Sequence, residues 1–444
     1  VVVPWLGLRG AIGVAAAVNA LGAAVALRDR RWAAGLAAVA AVAALGIRAP
    51  WDPLWMSGGM YQYVSQFDDH TVAGMQKFAT GSQAVKFYDE GRSSVVTVAT
   101  NVNSGHLWLA NNGKVDASTS GDLPTQVLVA LAAAPYVDRP DPVLVIGLAS
   151  GITAGAATRI PGIGGIEVVE LEPAVVRAAR LFDDYNHRVL DDPRVTVVVN
   201  DGRNHLLRAA PGTYPLVISE PSNPYLSGVA NLFTREFWTL GHSRLAPGGV
   251  WAQWVQLYGM GPDELRGLIR TFADVYPYVE VIVAIGGADL VLLGSDRPLV
   301  PDLAKIRPLF DDPDVAAELR SVEIQFPMDL LAHHAMDRDQ ALAFAGDAPL
   351  VTDDNLRVEY AAPLWLHTDV SLRNWDELLA AAEVPWGSLP DDPLDWLDLA
   401  ATYDRLEDPR RARQVRERLL STLPEGDALR AELIEALYGD PKGG

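Results

Sequence analysis

The segment VLVIGLASGITAG (143–155) constrains the fold of this chain more than any other stretch. Val143 to Ile146 are four consecutive apolar residues, a pattern typical of a strand buried on both faces of a sheet. Gly147 and Gly151 then allow a tight turn into a helix whose first amide groups can face a ligand. The segment therefore predicts the nucleoside-binding edge of an α/β sheet.

Two further segments follow in the order that such a sheet requires. Glu170 ends the apolar stretch IEVVE, 23 positions after Gly147. This is close to the ~20-residue offset at which an acidic side chain can bind two ribose hydroxyls. Asp201 and Gly202 follow the next apolar stretch. The GxGxxG fingerprint of NAD-binding proteins is not met, because alanine and isoleucine occupy its second and third glycine positions.

Charge and residue usage limit the partners of the chain. The 36 lysine and arginine residues are outnumbered by 56 aspartates and glutamates, which gives a formal net charge of -20. Because phosphate binding needs clustered basic residues, we expect no nucleic-acid partner. The absence of cysteine excludes disulfides, thiolate metal sites and a cysteine nucleophile. The eight histidines show no HExxH-like spacing, so we expect no metal site.

The first 50 residues differ from the rest of the chain. Ala11 to Leu27 and Trp32 to Ile47 are uncharged, alanine-rich runs separated by the basic loop 28–31. Each run is somewhat shorter than the ~20 residues that span a bilayer, but tryptophans flank both runs, as is common at membrane interfaces. We predict a transmembrane helical hairpin over residues 1–50, in an inner or plasma membrane, with the lipid bilayer as a partner. A buried hairpin of a soluble protein is the alternative.

The orientation of this hairpin is only weakly encoded. Basic residues favour the cytoplasmic side, and the loop 28–31 would then leave the following domain on the opposite side. Arg9 and Arg48 lie on the other flank and reduce that bias. Nucleoside chemistry belongs in the cytoplasm, so we place the catalytic domain there.

The remaining chain divides into five predicted segments. A linker over 51–82 precedes a small β module over 83–130, in which Ser94 to Thr100 and His106 to Ala110 form a predicted hairpin. Residues 131–300 form the predicted nucleoside-binding domain. Its later strands are predicted at Val195 to Val199, Pro215 to Ser219, Gly249 to Gln256, Val279 to Ala284 and Leu290 to Leu293.

The C-terminal part predicts helices. Residues 301–390 form a mixed helical region, in which TDDNLRVEYAAP (352–363) has no evident chemical role. Residues 391–444 carry the spacing of one tetratricopeptide-like helix pair, although a plain amphipathic hairpin fits equally well. One such pair cannot bury its own apolar face, so we expect it to pack on the catalytic domain or on a partner. A homo-oligomer is among the partners that this allows.

Seven ordered motifs over roughly residues 50–300 resemble the spermidine synthase family. They are FYDEGRSSVVTV (87–98), NNGKVDASTSGDLPTQ (111–126), VLVIGLASG (143–151), VVELEP (168–173), DDPRVTVVVNDGRNHL (191–206), ISEPSNP (218–224) and ANLFTREFW (230–238). More narrowly, they are similar to the bacterial membrane proteins in which a spermidine-synthase-like domain follows transmembrane helices. The resemblance implies an α/β fold, with a class I Rossmann-like, doubly wound sheet after a small β module. It also implies a sulfonium nucleoside as substrate, S-adenosylmethionine or its decarboxylated form.

The resemblance further implies which residues contact this nucleoside. Glu170 holds the ribose and Asp201 meets the adenine, because a carboxylate can accept hydrogen bonds from a diol or from an exocyclic amine. The other implied contacts are Gly147, Ser150, Gly151, Gly202, Gln126 and Asn223. Tyr258 is a candidate for closing the pocket, with core packing as the alternative.

The chain departs from the family where the acceptor amine binds. Ser150 stands at the Asp of the family's glycine loop, and Glu220 to Pro224 (EPSNP) replaces its DSSDP-like segment. Thr125 stands at the acceptor-site Tyr, two serines (93 and 94) stand at a Tyr-Gln pair, and the short connection 285–288 replaces a Tyr-Pro-rich loop. Two of the family's aspartates are thus replaced by neutral residues here, and a third is replaced by glutamate, whose side chain is one methylene longer.

This loss of acid favours S-adenosylmethionine over its decarboxylated form. A diamine in a partly dry pocket needs opposing carboxylates, because an unpaired buried charge costs several kcal/mol. S-adenosylmethionine adds a carboxylate that an Asp at position 150 would repel. Ser150 and Asn223 can instead donate hydrogen bonds to it. Conventional polyamine synthesis is therefore not what this sequence predicts.

Glu220 is the predicted general base, with Asp116 and Asp122 as further catalytic candidates, although both of these acids also suit turns or strand edges. Family geometry exposes the aminopropyl carbon, so attack or elimination there releases 5'-methylthioadenosine. Transfer to an acceptor and internal displacement both remain open.

Two other classes of function are also open. One is a methyltransferase, suggested by SNPY (222–225), and the other is a non-catalytic S-adenosylmethionine-binding membrane regulator.

Overall fold

The computed structural model describes residues 3–27, 32–37, 39–40, 51–66, 68–284, 286–389 and 392–438. The chain divides into two compact units. The first consists of Val1–Thr119 with Leu171–Phe182, and the second of Ser120–Glu170 with Asp183–Gly444. Each unit contains one β-sheet.

The helices and strands are numbered along the chain. The helices are α1 (Val3–Leu27), α2 (Pro53–Met56), α3 (Met60–Tyr63), α4 (Val72–Thr80), α5 (Leu123–Leu131), α6 (Ile152–Ala157), α7 (Pro173–Ala179), α8 (Gly202–Arg208), α9 (Arg235–Arg244), α10 (Pro262–Val275), α11 (Leu303–Asp311), α12 (Pro313–Ser321), α13 (Pro327–Ala332), α14 (Arg338–Ala345), α15 (Arg357–Ala361), α16 (Val370–Ala381), α17 (Pro393–Arg405), α18 (Pro409–Thr422) and α19 (Ala428–Tyr438). The strands are β1 (Gln83–Glu90), β2 (Val95–Asn101), β3 (Leu107–Asn111), β4 (Lys114–Ser118), β5 (Val143–Ile146), β6 (Ile166–Glu170), β7 (Val195–Val199), β8 (Tyr214–Ser219), β9 (Leu245–Gln256), β10 (Tyr278–Val283), β11 (Asp289–Ser295) and β12 (His334–Asp337).

Helix α1 is long and apolar enough to cross a membrane over Leu6–Ala23, by length and composition. Of the residues that the structure describes, no other helix meets this test. The second predicted run is helical at residues 32–37 and 39–40. Its remainder and the loop 28–31 lie outside the described residues, so the transmembrane hairpin stays a prediction.

The first unit contains the predicted small antiparallel sheet, in the strand order β1-β2-β3-β4. The predicted hairpin is present, since Thr100 of β2 pairs with Leu107 of β3. Its turn is closed by the Gly105 amide, which donates to the Asn101 carbonyl at 2.8 Å. Val96 and Val98 of β2 are fully buried and form the centre of this sheet.

The second unit contains an eight-stranded sheet in the order β12-β10-β11-β9-β8-β5-β6-β7. Strands β5 to β9 run parallel, while β11, β10 and β12 join antiparallel beyond β9. The order reverses at β5, because β6 and β7 lie on one side of it and β8 and β9 on the other. This confirms the predicted doubly wound sheet. Sheets of this type generally bind ligands where the order reverses, outside the carboxyl ends of the strands.

Burial explains why the segment 143–146 forms the central strand. Val143, Leu144 and Val145 are fully buried and Ile146 is 3% exposed. Burying each such side chain contributes roughly 1.5–3 kcal/mol, which favours a strand covered on both faces. The five later strands predicted from sequence are present as β7 to β11, with ends shifted by a few residues.

Strand β12 was missed within the region predicted to be helical. Its sequence His-Ala-Met-Asp contains no β-branched residue, so its intrinsic strand propensity is low. Tertiary contacts hold it against β10 instead, including the Val283 amide, which donates to the His333 carbonyl at 2.9 Å, and His334, whose Nδ1 lies 2.9 Å from Glu280. Strand β12 forms one edge of the large sheet.

The predicted C-terminal helix pair is present as α17 and α18, and a third helix, α19, follows. The pair packs within the second unit. Thr402 donates to Asp329 at 2.7 Å, and the fully buried Arg411 donates to the His334 carbonyl at 2.5 Å. Arg411 also pairs with Asp408 at 2.5 Å. The helix pair is thus joined to the sheet edge by buried polar contacts.

The division into units differs from the sequence segments at two places. Residues 120–130, assigned to the β module from sequence, belong to the second unit and contain most of α5. Residues 171–182, assigned to the nucleoside-binding domain, belong to the first unit. Helix α7 within them is tied to that unit through Glu172, which accepts a hydrogen bond from the Ser93 amide at 2.7 Å.

Candidate nucleoside-binding site

The glycine loop joins β5 to α6 and has an unusual backbone. Gly147 has φ of 94°, and a Cβ there would collide with the carbonyl oxygen of Glu220. Gly151 has φ of 80° and precedes α6. Ala149 also has a positive φ of 44°, which is uncommon for a residue with a side chain. The residue types of this loop are therefore restricted by the close approach of the strand β8 end.

Glu170 lies where the sequence placed it, at the carboxyl end of β6 beside the glycine loop. Its side chain is 9% exposed, and Oε2 accepts a hydrogen bond from the Leu148 amide at 3.0 Å. A carboxylate is the group that a ribose diol would donate to, and the predicted ribose contact remains a prediction. Glu170 thus holds the glycine loop that follows β5, the strand at which the order reverses.

Asp201 begins α8 after β7. Its Oδ1 accepts the Asn204 amide at 2.8 Å, which caps the helix, and its side chain is half-buried. Gly202 is buried, and a Cβ there would lie 2.7 Å from the Ile146 side chain, so a larger residue would have to displace the central strand's side chain. The structure therefore gives Asp201 a capping function, to which the predicted adenine contact would be added.

Ser150 and Gln126 are brought together from separate segments. The Ser150 hydroxyl donates to Gln126 Oε1 at 2.6 Å, and both side chains are buried. The same hydroxyl accepts the Ile152 amide at 3.3 Å, and Asn186 donates to the Ser150 carbonyl at 2.9 Å. The hydroxyl proton of Ser150, which we expected to meet a substrate carboxylate, is thus directed at Gln126.

Glu220 follows β8 and lies over the start of α6. Its side chain is half-buried, and Oε2 accepts a close hydrogen bond from the Thr153 hydroxyl. Its amide donates to the Ile146 carbonyl at 3.0 Å, which fixes its backbone against β5. The predicted base therefore lies on the opposite side of Gly147 from Glu170.

Asn223 and Tyr258 meet at the ends of β8 and β9. Asn223 is fully buried, and its Nδ2 donates to the Tyr258 hydroxyl at 3.2 Å. The Asn223 Oδ1 atom is buried and has no hydrogen-bond partner within the described part of the chain. Tyr258 is half-buried. Its predicted position beside the pocket remains a prediction.

The two secondary catalytic candidates lie in different units. Asp122 is half-buried in the second unit, just before α5. Asp116 lies on β4 of the first unit, where it pairs with Lys114 at 3.2 Å and accepts Asn111 Nδ2 at 2.6 Å. The Asp116 side chain is 7% exposed. Its contacts are those of a buried ion pair within the small sheet.

Sequence reasoning missed two polar residues at the same sheet edge. Asp289 begins β11, is buried, and accepts the Thr125 hydroxyl at 2.9 Å and Trp254 Nε1 at 3.0 Å. Gln256 ends β9 directly opposite Asp289. Because β11 runs antiparallel to β9, its first residue lies at the carboxyl ends of the parallel strands. A polar residue at the start of an apolar strand was the available signal.

Among the described residues, no group of three or more His, Asp or Glu side chains is arranged to hold a metal ion. The site consists instead of the glycine loop, two acids at the ends of β6 and β7, and Glu220. A doubly wound sheet with this loop defines the class I Rossmann-like group of nucleoside-binding folds.

Comparison with known proteins narrows this class. Residues 125–285 match the family model described as the spermine/spermidine synthase domain. A stretch of 142 residues is 32% identical to putrescine N-methyltransferase 1 of Nicotiana tabacum and covers 32% of this chain and 38% of that protein. Another of 111 residues is 40% identical to the polyamine aminopropyltransferase of Mycobacterium tuberculosis and covers 24% of this chain and 21% of that protein. The chain thus spans less than half the length of these curated relatives.

Residues 125–285 are therefore similar to a spermine/spermidine synthase domain, and the predicted resemblance of the chain to the spermidine synthase family is confirmed. Solved structures similar to it include a spermidine synthase in complex with the transition state analogue AdoDATO, at 19% identity and a TM-score of 0.44, over 48% of this chain and 74% of that one. A probable spermidine synthase from Corynebacterium glutamicum has the same identity and TM-score, over 61% and 97%. The narrower membrane-fused group stays a prediction.

Proposed function

We propose that this chain is an enzyme that uses S-adenosylmethionine, or its decarboxylated form, as substrate and cleaves the C–S bond on the aminopropyl side. One observation carries the proposal. Glu170 accepts the Leu148 amide on the β6 side of the glycine loop, and the Glu220 carboxylate accepts the Thr153 hydroxyl on the β8 side. A ribose-binding acid and a base thus flank a single loop at the switch point of the sheet.

The reaction follows from the sulfonium, which is its own leaving group. A lone pair attacks the aminopropyl carbon, the C–S bond breaks, and its electron pair passes to sulfur as 5'-methylthioadenosine leaves. With an amine acceptor, Glu220 takes the proton that the amine loses. With the ligand's own carboxylate as nucleophile, a lactone forms and no proton is transferred, so this route needs no base from Glu220.

The acid content of the site favours S-adenosylmethionine itself. Ser150 and Asn223, which stand where the family has acids, are buried and neutral. An ammonium group placed between them would lack the carboxylates that offset its desolvation, which costs several kcal/mol. A substrate carboxylate meets no repulsion from these two side chains.

Product analysis tests this function. The chain is incubated with S-adenosylmethionine or its decarboxylated form, with and without putrescine, and nucleosides are separated by chromatography. We expect 5'-methylthioadenosine from S-adenosylmethionine, and where an amine is the nucleophile Glu220→Gln should abolish this release while nucleoside binding persists. A strict need for both the decarboxylated form and putrescine would restore ordinary aminopropyl transfer.

Methyl transfer is the second candidate. The similarity to putrescine N-methyltransferase favours it, because that relative is named for methyl transfer. The two functions differ in their products, since methyl transfer leaves S-adenosylhomocysteine. Binding measured by calorimetry, with neither product after prolonged incubation, would instead support a non-catalytic regulator.

We also propose that residues 1–50 anchor the chain in an inner or plasma membrane, with the catalytic domain in the cytoplasm. The exposed apolar surface of α1 supports this, and Val18 within it is 64% exposed. Val18→Arg should shift the protein from the membrane fraction toward the soluble fraction after alkaline carbonate extraction, whereas Val18→Leu should not. An unchanged distribution for Val18→Arg would contradict anchoring by α1.

A further inference from the structure

Gln256 is a buried polar side chain at the end of an apolar strand. It ends β9 with an exposed fraction of 0%. Neither Nε2 nor Oε1 has a partner among the residues whose structure is described. A buried polar group left unsatisfied costs about 1–3 kcal/mol. Such a group is expected where a ligand supplies the missing hydrogen bonds.

Asp289 lies beside Gln256 on the same face of the sheet. The two residues are directly opposite each other in the β9–β11 ladder. Trp254, two positions before Gln256 and therefore on the same face, donates its Nε1 to Asp289 Oδ1 at 3.0 Å. The Asp289 carboxylate therefore places an acidic group beside the Gln256 amide.

Asn223 adds a second unsatisfied oxygen at the neighbouring strand end. Its Oδ1 is buried without a hydrogen-bond partner in the described ranges. Its Nδ2 donates to the hydroxyl of Tyr258, two positions after Gln256. The carboxyl ends of β8 and β9 therefore present two amide oxygens and an amide nitrogen that make no hydrogen bond to the part of the chain that the structure describes.

The cluster of Gln256, Asp289 and Asn223 is connected to the glycine loop through the start of α5. Thr125 donates to Asp289 at 2.9 Å, and its neighbour Gln126 accepts the Ser150 hydroxyl at 2.6 Å. Consecutive residues of one helix thus contact the new cluster and the glycine loop. The cluster lies within the second unit, as does the glycine loop.

We propose that Gln256, Asn223 and Asp289 form a subsite for a zwitterionic amino-acid group; this rests on the proposed function. The Gln256 amide nitrogen requires an acceptor oxygen, while the Gln256 and Asn223 oxygens require N–H donors. The Asp289 carboxylate favours a cationic donor. An ammonium and a carboxylate on one carbon meet all three requirements, whereas a diamine leaves the Gln256 nitrogen unsatisfied.

Two sources can supply this group. One is the methionine tail of S-adenosylmethionine itself, and the other is a separate amino acid that accepts the aminopropyl-side carbon. Both carry the same ammonium and carboxylate, so the subsite chemistry is shared. The decarboxylated nucleoside and 5'-methylthioadenosine lack the carboxylate and serve as probes that separate the sources.

The experiment compares wild type with Gln256→Met, which has similar volume and no amide. Calorimetry is run with S-adenosylmethionine, its decarboxylated form and 5'-methylthioadenosine, and 5'-methylthioadenosine release is measured with each standard L-amino acid. If the methionine tail occupies the subsite, Gln256→Met should weaken S-adenosylmethionine binding about tenfold or more, because an unsatisfied buried group costs ~1–3 kcal/mol. Binding of 5'-methylthioadenosine should not change. If a separate amino acid occupies the subsite instead, one of the added amino acids should accelerate 5'-methylthioadenosine release by wild type. The KM for that amino acid should then be higher in the variant.

A second variant keeps the test decisive if Gln256→Met folds poorly. Gln256→Glu replaces the amide donor with a carboxylate. It should therefore weaken the binding of S-adenosylmethionine and strengthen that of the decarboxylated form relative to it. Unchanged preference between these two nucleosides in both variants, together with no acceleration by any amino acid, overturns the subsite. Failure of wild type to bind 5'-methylthioadenosine would instead refute the proposed function.

Discussion

Arg203 and Asp353 form a two-bonded ion pair, with Nη1 to Oδ1 at 2.8 Å and Nη2 to Oδ2 at 2.5 Å. Thr234 donates to the same Oδ1 at 2.7 Å. Hydrogen bonding from Arg203 holds the pKa of Asp353 below its usual value, and the same bond raises the pKa of Arg203. The pair joins three motifs, NDGR (200–203), ANLFT (230–234) and TDD (352–354).

This contact gives the 352–363 motif a role that its sequence did not reveal. Arg203 lies in the first turn of α8, directly after Asp201 and Gly202. Asp353 therefore fixes the helix start at which we expect the adenine to bind. We regard it as a positioning residue, because it acts through Arg203.

Asp353→Asn should weaken nucleoside binding while leaving the chemical step intact. The pair is partly exposed, so we expect the loss of about 1 kcal/mol, seen as a roughly fivefold rise in KM for S-adenosylmethionine with kcat within about twofold. Steady-state kinetics measures both. Asp354→Asn, at the exposed neighbouring acid, is the matched control and should change neither constant. A fall in kcat at constant KM would argue against a positioning role.

Thr153→Val should lower kcat without changing nucleoside affinity. The Thr153 hydroxyl donates to Glu220, so its removal leaves the proposed base less firmly oriented. We expect a loss of about tenfold in kcat, since one hydrogen bond to a charged group contributes roughly 1.5–3 kcal/mol. Thr158→Val removes a buried hydroxyl that donates to the Gly155 carbonyl within the same turn, and it serves as the control. Equal losses in both variants would assign the effect to stability.

Gly147→Ala should abolish nucleoside binding and destabilise the fold. The new Cβ would collide with the Glu220 carbonyl in a backbone conformation that already disfavours side chains. Gly346→Ala carries the conformational strain without the collision, because nothing lies within 4 Å of its Cβ position. Urea unfolding should therefore show a loss of about 1 kcal/mol for the control and a larger one for Gly147→Ala. Equal losses would show that the β5 loop tolerates a side chain.

The sequence was informative where local pattern and structure agree. Val143 to Ile146, the following glycines and Glu170 follow from chain-local rules on buried strands and tight turns. The partners of these residues come from elsewhere: Asp353 lies 150 positions from Arg203, and Asp289 lies 164 from Thr125. Such pairs depend on strand order and register, which local pattern does not encode.

The unsatisfied Gln256 shows the same limit more sharply. A glutamine at the end of an apolar strand looks like an ordinary solvated residue from sequence. Only the pairing of β9 with β11 places it opposite Asp289 and removes it from solvent. The departures from the family at Ser150 and Asn223 were visible in the sequence. The polar residues of the proposed subsite, Gln256 and Asp289, were not.

His333 is a fully buried histidine whose titration should govern stability in mild acid. Its Nδ1 donates to the Val283 carbonyl at 2.7 Å, as the carbonyl can only accept. Burial lowers the pKa of His333 from 6.5 to about 4. As pH falls below 6.5 the unfolded chain binds a proton at this residue, whereas the folded chain does not until about pH 4.

Stability that is present above pH 6.5 is therefore lost as pH falls toward 4, by up to about 3 kcal/mol at ~1.36 kcal/mol per unit. His333→Asn retains an N–H donor and removes the titration. Urea unfolding of both proteins between pH 7.5 and 4.5 isolates the effect, because other groups cancel in the difference. We expect the advantage of wild type over His333→Asn to shrink steadily below pH 6.5, while the exposed His367→Asn serves as control for loss of an imidazole. A wild-type advantage that stays constant with pH would show that His333 is protonated in the folded chain as readily as in the unfolded one.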